Sequence, residues 1–317
     1  MKFELLSRLW LHEPDGAGLA RAVSELGLPS ADPAELALAY ADVFLLNVYP
    51  YGTAFADPAG ELNGPEAQQI AALYEAHGYC PAELKEVGAP DHLGLCLGFW
   101  AYFSSGQASG GSEAPSAQGP GSRHDSFLAD LLNWAPLCCL AVEREPSVHA
   151  FYRALAARTR EALLTELQIS NFEVQVPNCQ SLTHEPPFHP SSLSLHPPEE
   201  EIGLRDVVRF LLTPAQCGLF LSRSRLGQIA VALGLHLPFG SRFDVAEMLF
   251  MSAGEEGKVE PLLAQLETEL DAWAQAYRGW GEEYPAWRPS AGTWLARTEA
   301  ARGLLAEMRQ AVQTEAA

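Results

Sequence analysis

Apolar side chains recur every three or four residues along almost the whole chain, and that period predicts one helix after another. Phe3 to Leu11 and Gly16 to Leu26 read as short amphipathic helices. Asp32-Pro33 is a start signal, an N-cap ahead of a proline at the first helical position. The helix behind it carries Leu36, Tyr40, Val43, Phe44 and Asn47 at three-four spacing. Asn63-Gly64-Pro65 opens the next helix, which puts Ile70, Leu73 and Tyr74 on one face and ends at Gly78. Asp91 reads as the N-cap of Leu93 to Phe103, a run so apolar all round that it predicts a buried helix. Helix returns at Asp125 through Phe127, Leu128, Leu131 and Leu132, and Trp134-Ala135-Pro136 reads as a kink or a break. Pro146 opens a long helix to about Leu167, with Phe151, Leu155 and Leu163 inward.

Two stretches interrupt the period. Residues 104–122 are rich in Gly, Ser, Ala and Pro and read as a flexible surface loop. Residues 169–202 hold six prolines and the triplet Glu199-Glu200-Glu201, and read as a linker or long loop. Beyond them Leu204–Leu212, Arg223–Leu233, Phe243–Met251, Pro261–Trp280 and Pro289 to about Val312 are helical. No alternation of strand type and no βαβ spacing occurs. The expected class is all-α, organised as a core (1–168), a Pro-rich linker (169–202) and a helical C-terminal extension (203–317).

Composition narrows the function. A hydrophobic fraction of 48% against a charged fraction of 19% predicts a packed core and excludes a disordered chain. No stretch approaches the roughly 20 apolar residues of a membrane helix, and Met-Lys-Phe-Glu does not lead into a secretory h-region. A cytoplasmic protein without membrane insertion is expected. The net charge of −20, from 40 acids against 20 bases, repels nucleic-acid phosphate and favours basic partners. Cys96, Cys138, Cys139 and Cys217 lie in apolar runs and read as small, reduced core residues.

Little of this points to catalysis or cofactors. Cys179, His184, His189 and His196 share the proline-rich stretch, but their spacing matches no zinc finger, and no metal is expected there. There is no Gly-x-Ser-x-Gly, no phosphate-binding glycine loop and no dinucleotide fingerprint, so no enzyme and no cofactor is expected. Leu221 to Leu235 has the cadence of the first helix of a helix-turn-helix. The chain then runs through His236-Leu237-Pro238-Phe239-Gly240 into an acidic, apolar helix, which argues against duplex binding. A helical DNA-binding or regulatory scaffold protein built on the C-terminal half is one reading of this part of the sequence.

The most informative stretch runs from Tyr49 to Gly98. Tyr51 and Phe55 flank Gly52, and aromatics near a turn are common peptide anchors, although the same pattern also fits core residues. Asp91-His92 sets a carboxylate and an imidazole beside them, a pair suited either to capping or to holding an arginine.

In order and spacing, Tyr40 to Leu155 resembles the TorD/DmsD/NarJ family of redox-enzyme maturation chaperones. The likeness rests on Tyr40, Val43 and Phe44, on Pro50-Tyr51-Gly52-Thr53-Ala54-Phe55, on Gly60-Glu61-Leu62-Asn63-Gly64, and on Leu73-Tyr74 with Gly78. It continues through Pro90-Asp91-His92-Leu93, Phe127-Leu128 with Leu132, Trp134 and Pro136, and Phe151-Tyr152 with Leu155. Gly88-Ala89 stands where many relatives carry Glu-Pro, Asn133 where a proline often precedes the tryptophan, and residues from Gly203 onward fall outside the likeness.

The resemblance implies a TorD-like helical bundle without catalysis. Such a protein would bind the twin-arginine signal peptide, or the apo form, of a molybdopterin-dependent oxidoreductase during cofactor insertion. An alternative client is a non-exported, nitrate-reductase-like catalytic subunit. The implied peptide-binding residues are Tyr51, Phe55, Leu62, Asp91, His92 and Trp134, with Asp91 facing a guanidinium and His92 shaping the hinge. A monomer or a helix-exchanged dimer would be in keeping with the family.

Overall fold

The computed structural model describes residues 2–59, 64–105, 121–169, 203–236 and 240–315. Within them every regular element is a helix, and the only β pairing is an isolated antiparallel bridge between Tyr51 and His92. The chain divides into two compact units, Met1–Phe172 and Glu173–Ala317. The glycine-rich loop, Leu62 and the linker with Cys179, His184, His189 and His196 lie outside the described residues, apart from the edges of the loop.

The first unit opens with α1 (Lys2–Leu11), α2 (Gly16–Leu26) and α3 (Pro33–Tyr40). Local chemistry fixes their ends: the Asp15 carboxylate accepts from the Gly18 N–H, and the Asp32 carboxylate accepts from those of Ala34 and Glu35. Beyond Tyr40 the helix widens into a π-helical stretch, Ala41–Asn47, closed when the Val48 N–H reaches the Val43 carbonyl at 2.7 Å. The three-four spacing of the sequence does not reveal this change of gauge. Next come α4 (Gly52–Ala56), α5 (Pro65–Ala76), α6 (Leu84–Val87) and α7 (Leu93–Ser104). The long helices α8 (Gly121–Arg144) and α9 (Ala150–Ile169) end the unit.

Two sequence expectations need correction. Pro136 does not break α8, which runs through it. A proline inside a helix costs about 3 kcal/mol, but Ala135, Leu137, Cys138 and Cys139 around it are all fully buried, and α8 packs along α9. Asp91 does not cap α7. That position belongs to His92, whose Nδ1 accepts from the Gly94 N–H at 3.1 Å.

Packing of the unit centres on α1 against α7 and α8 against α9. Trp10 is fully buried, and its indole N–H donates to the Thr159 hydroxyl of α9 at 2.9 Å. The rings of Trp10, Tyr40, Phe44 and Tyr152 form one aromatic cluster. Tyr152 donates to the Leu36 carbonyl at 2.9 Å, and Tyr40 to those of Trp10 and Leu11. The α1–α7 seam is tight because α7 has a glycine in its first turn. A Cβ on Gly94 would come within 2.6 Å of Leu11 Cγ and 3.0 Å of the Ser7 carbonyl, while the Ser7 hydroxyl bonds the Gly94 carbonyl at 2.7 Å. In an exposed helix Gly→Ala gains up to about 1 kcal/mol. Here overpacking reverses the sign: Gly94→Ala is expected to lose about 1–3 kcal/mol in urea unfolding, and a gain would show that the seam is loose.

The second unit contains α10 (Leu204–Leu212), α11 (Pro214–Cys217), α12 (Arg223–Leu233), α13 (Arg242–Glu255), α14 (Val259–Glu283) and α15 (Arg288–Glu315). A 3₁₀ turn, Pro285–Trp287, folds α15 back along α14. Trp273, Tyr277, Trp287 and Trp294 are buried there, and Tyr277 donates to the Gly218 carbonyl at 2.7 Å. Gly218 has φ +73°, and a Cβ there would lie 2.8 Å from the Thr298 backbone nitrogen, so only glycine fits. Arg309 pairs with both Glu260 and Glu267 of α14 at 2.8 Å. On α12, Arg225 is committed to Glu269 at 2.9 Å. Among the described residues no helix is long and apolar enough to cross a membrane.

Candidate functional site

Pro50 ends the π-helical stretch, since it has no N–H to continue a helix and biases the residue before it toward extended backbone. The extended chain at Tyr51 then lies beside the segment Ala89–His92. The Leu93 N–H donates to the Pro50 carbonyl at 2.7 Å, and the Gly52 N–H donates to the Asp91 carbonyl at 3.0 Å. These two bonds clip together segments that are about forty residues apart in sequence.

Asp91 caps across this clip rather than along its own helix. Its Oδ2 accepts from both the Thr53 N–H and the Thr53 hydroxyl, each at 2.8 Å, and so caps α4 from 38 residues away. Asp91 is fully buried, and its Oδ1 has no hydrogen-bond partner. A buried carboxylate oxygen without a donor is costly, and that makes Asp91 the notable group of the site.

The neighbours close around it. Tyr51 is half-buried, donates to the Val87 carbonyl at 2.7 Å, and sets its ring edge-on to His92 at 5.0 Å. Burial, and then the Asp91 charge, push the Tyr51 phenol above its ordinary value. Tyr74 supports the Pro90 carbonyl at 2.9 Å. His92 is buried and accepts at Nδ1, so its ring proton sits on Nε2. Desolvation, helped by the charge of His12, pushes the imidazole down to about 3. Trp134 of α8 lies under Gly52: a Cβ there would meet the indole at 3.0–3.2 Å.

Of the six expected residues, the structure gathers Tyr51, Asp91, His92 and Trp134 around Gly52. Phe55 stands further along α4, fully buried, and Leu62 lies outside the described residues. Only Tyr51 keeps substantial exposure. Thr53 and Gly52 join the site although the expected site residues do not include them; nothing local in the sequence pairs Thr53 with Asp91. A cavity of about 210 Å³ beside α1 and the start of α2 is bordered by Arg8, His12, Glu13 and Asp15 and by none of the six.

The Cys96 thiol, which Tyr74 meets at 3.6 Å, is not an activated nucleophile. Burial pushes the Cys96 thiol up to about 12, a protonated and inert sulfur. Among the described residues no group of three or more His, Cys, Asp or Glu side chains is set to hold a metal. The arrangement is suited to holding two segments together. Thr53→Val keeps the N–H and removes the hydroxyl donor, leaving Asp91 one bond poorer. It is expected to cost about 1–2 kcal/mol in urea unfolding, and an unchanged midpoint would show that the clip carries no stability.

Residues 13–140 match the family model described as the nitrate reductase delta subunit. The match spans α2 through most of α8 and takes in the whole clip. No curated protein matches the chain, and no solved structure matches it.

Proposed function

We propose that this chain, whose residues 13–140 carry the pattern of the NarJ/TorD-type chaperone family, is a maturation factor for the catalytic subunit of a molybdopterin-dependent oxidoreductase. It acts in the cytoplasm by binding the twin-arginine leader or the apo form of that subunit until cofactor insertion is complete, and it is not a catalyst. The family match is the observation that carries this reading.

Physical chemistry supports it. A leader segment is cationic at one end and apolar along its middle, and a protein of net charge −20 attracts the first part. Asp91, with one oxygen unpartnered, and Tyr51, still half-exposed, are the groups of the clip with capacity to spare for a guanidinium and an apolar chain. Because Asp91 is fully buried, arginine reaches it only when the Tyr51–His92 bridge opens.

The description of the matching family favours the second client, the body of a nitrate-reductase-like catalytic subunit that lacks an export signal. Calorimetry of the purified chain with a synthetic twin-arginine leader, and separately with a segment from the body of such a subunit, distinguishes the two. Co-expression with the client and assay of its molybdopterin content tests the maturation role. A chain that binds neither segment, and leaves cofactor content unchanged, is not this chaperone.

A further inference from the structure

Single exposed apolar side chains are ordinary, but a contiguous group of them marks an interaction surface. Residues 38–49 carry such a group: Leu38 is 76% exposed, Leu45 62%, Leu46 48% and Tyr49 39%. Leu38 and Leu45 stand about two turns apart. The π-helical gauge of Ala41–Asn47 accompanies the exposure of two consecutive leucines, Leu45 and Leu46, while Val43 and Phe44 stay in the core. Such stretches are frequent at functional positions. The stripe leads through Tyr49 to Tyr51 and the clip, since the Tyr51 N–H bonds the Tyr49 carbonyl at 2.9 Å.

Charge identifies the occupant. The sequence has no lysine or arginine between Arg21 and Lys85. Asp32 and Glu35 are exposed, Asp42 is half-exposed, and none of the three makes an ion pair among the described residues. Asp42 bonds only neutral groups, Asn47 and Ser147. An apolar strip beside Asp32, Glu35 and Asp42 is complementary to an apolar segment flanked by cations. A second copy of this chain would bring its own acids to the same border and repel.

We infer that the outer face of residues 38–49 is the docking surface for an apolar, helix-forming segment with arginine or lysine at its N-terminal end. The segment lies on Leu38, Leu45, Leu46 and Tyr49 with its cations toward Asp32, Glu35 and Asp42. This rests on the chaperone reading and adds where the apolar middle of the client goes: onto the outside of α3 and its π-helical continuation, not among the buried aromatics beneath the clip.

The test uses the full chain and a labelled synthetic peptide with two arginines ahead of an apolar helix-forming stretch of about 15 residues. The variant L38Q/L45Q/L46Q, and separately L38K at the most exposed position, are expected to weaken binding about tenfold or more with unchanged thermal melting. Replacing the two arginines of the peptide by glutamine is expected to weaken binding more at low salt than at high salt. Equal binding by wild type and both variants overturns the inference while the chaperone reading stands. Absence of binding by the wild type overturns the inference, and the client's molybdopterin content then decides the chaperone reading separately. A wild-type dimer that the triple variant converts to monomer assigns the stripe to self-association and also overturns it.

Discussion

Replacing Trp134 with alanine is expected to cost about 3–5 kcal/mol of unfolding free energy, the range for a fully enclosed tryptophan. The indole is nearly inaccessible, and its edge lies so close to the backbone of Gly52 that a Cβ there would be crowded. That contact makes a coupled experiment informative. Gly52→Ala alone would push a methyl to 3.0–3.2 Å from three indole atoms, an overpacking cost of about 1–3 kcal/mol. In a Trp134→Ala background the same methyl enters vacated space, so the second substitution should be close to neutral. A double-mutant cycle by urea unfolding measures the difference. If the two losses simply add, the contact between Gly52 and Trp134 does not hold α4 against α8.

Acid is expected to weaken the fold through His92. Its folded-state value is depressed to about 3, against about 6.5 for an exposed imidazole. The unfolded chain therefore takes up this proton first as pH falls. Stability from the neutral ring is complete above about 6.5 and is lost between that value and about 3. Within the window one proton corresponds to a slope of about 1.4 kcal/mol per pH unit. Carboxylates also titrate there, so the comparison has to be with His92→Asn, which keeps a cap acceptor for the Gly94 N–H without titrating. Unfolding measured from pH 4 to 7 should be less pH-dependent in the variant by about one proton, and parallel slopes would refute the assignment. The charge of His12 bears on His92 in the same direction as burial.

The pattern of the chain is readable where structure is set locally. Asp32 accepts from the N–H groups two and three residues ahead, and α3 starts at Pro33 as that cap predicts; Asp15, Ser222 and Ser241 cap α2, α12 and α13 in the same local way. The buried character of α7 is evident from its composition alone. The failures are decided by partners distant in sequence. Asp91 has the chemistry of a cap and is one, but for α4, through a threonine 38 residues away that no local rule can find. Pro136 carries a breaking signal that burial of both its flanks overrides. The same limit applies to the site. The order of residues from Tyr51 to Trp134 points to one place, yet it cannot say that Phe55, Asp91, His92 and Trp134 face inward.

Two amides make that enclosure measurable. Gly52 and Leu93 donate across the clip to the Asp91 and Pro50 carbonyls, outside any helix ladder, so their deuterium uptake reports fraying of this junction alone. Occupancy that pries the junction apart would accelerate uptake at both, whereas a guest resting on the exterior would leave them unchanged or slow them.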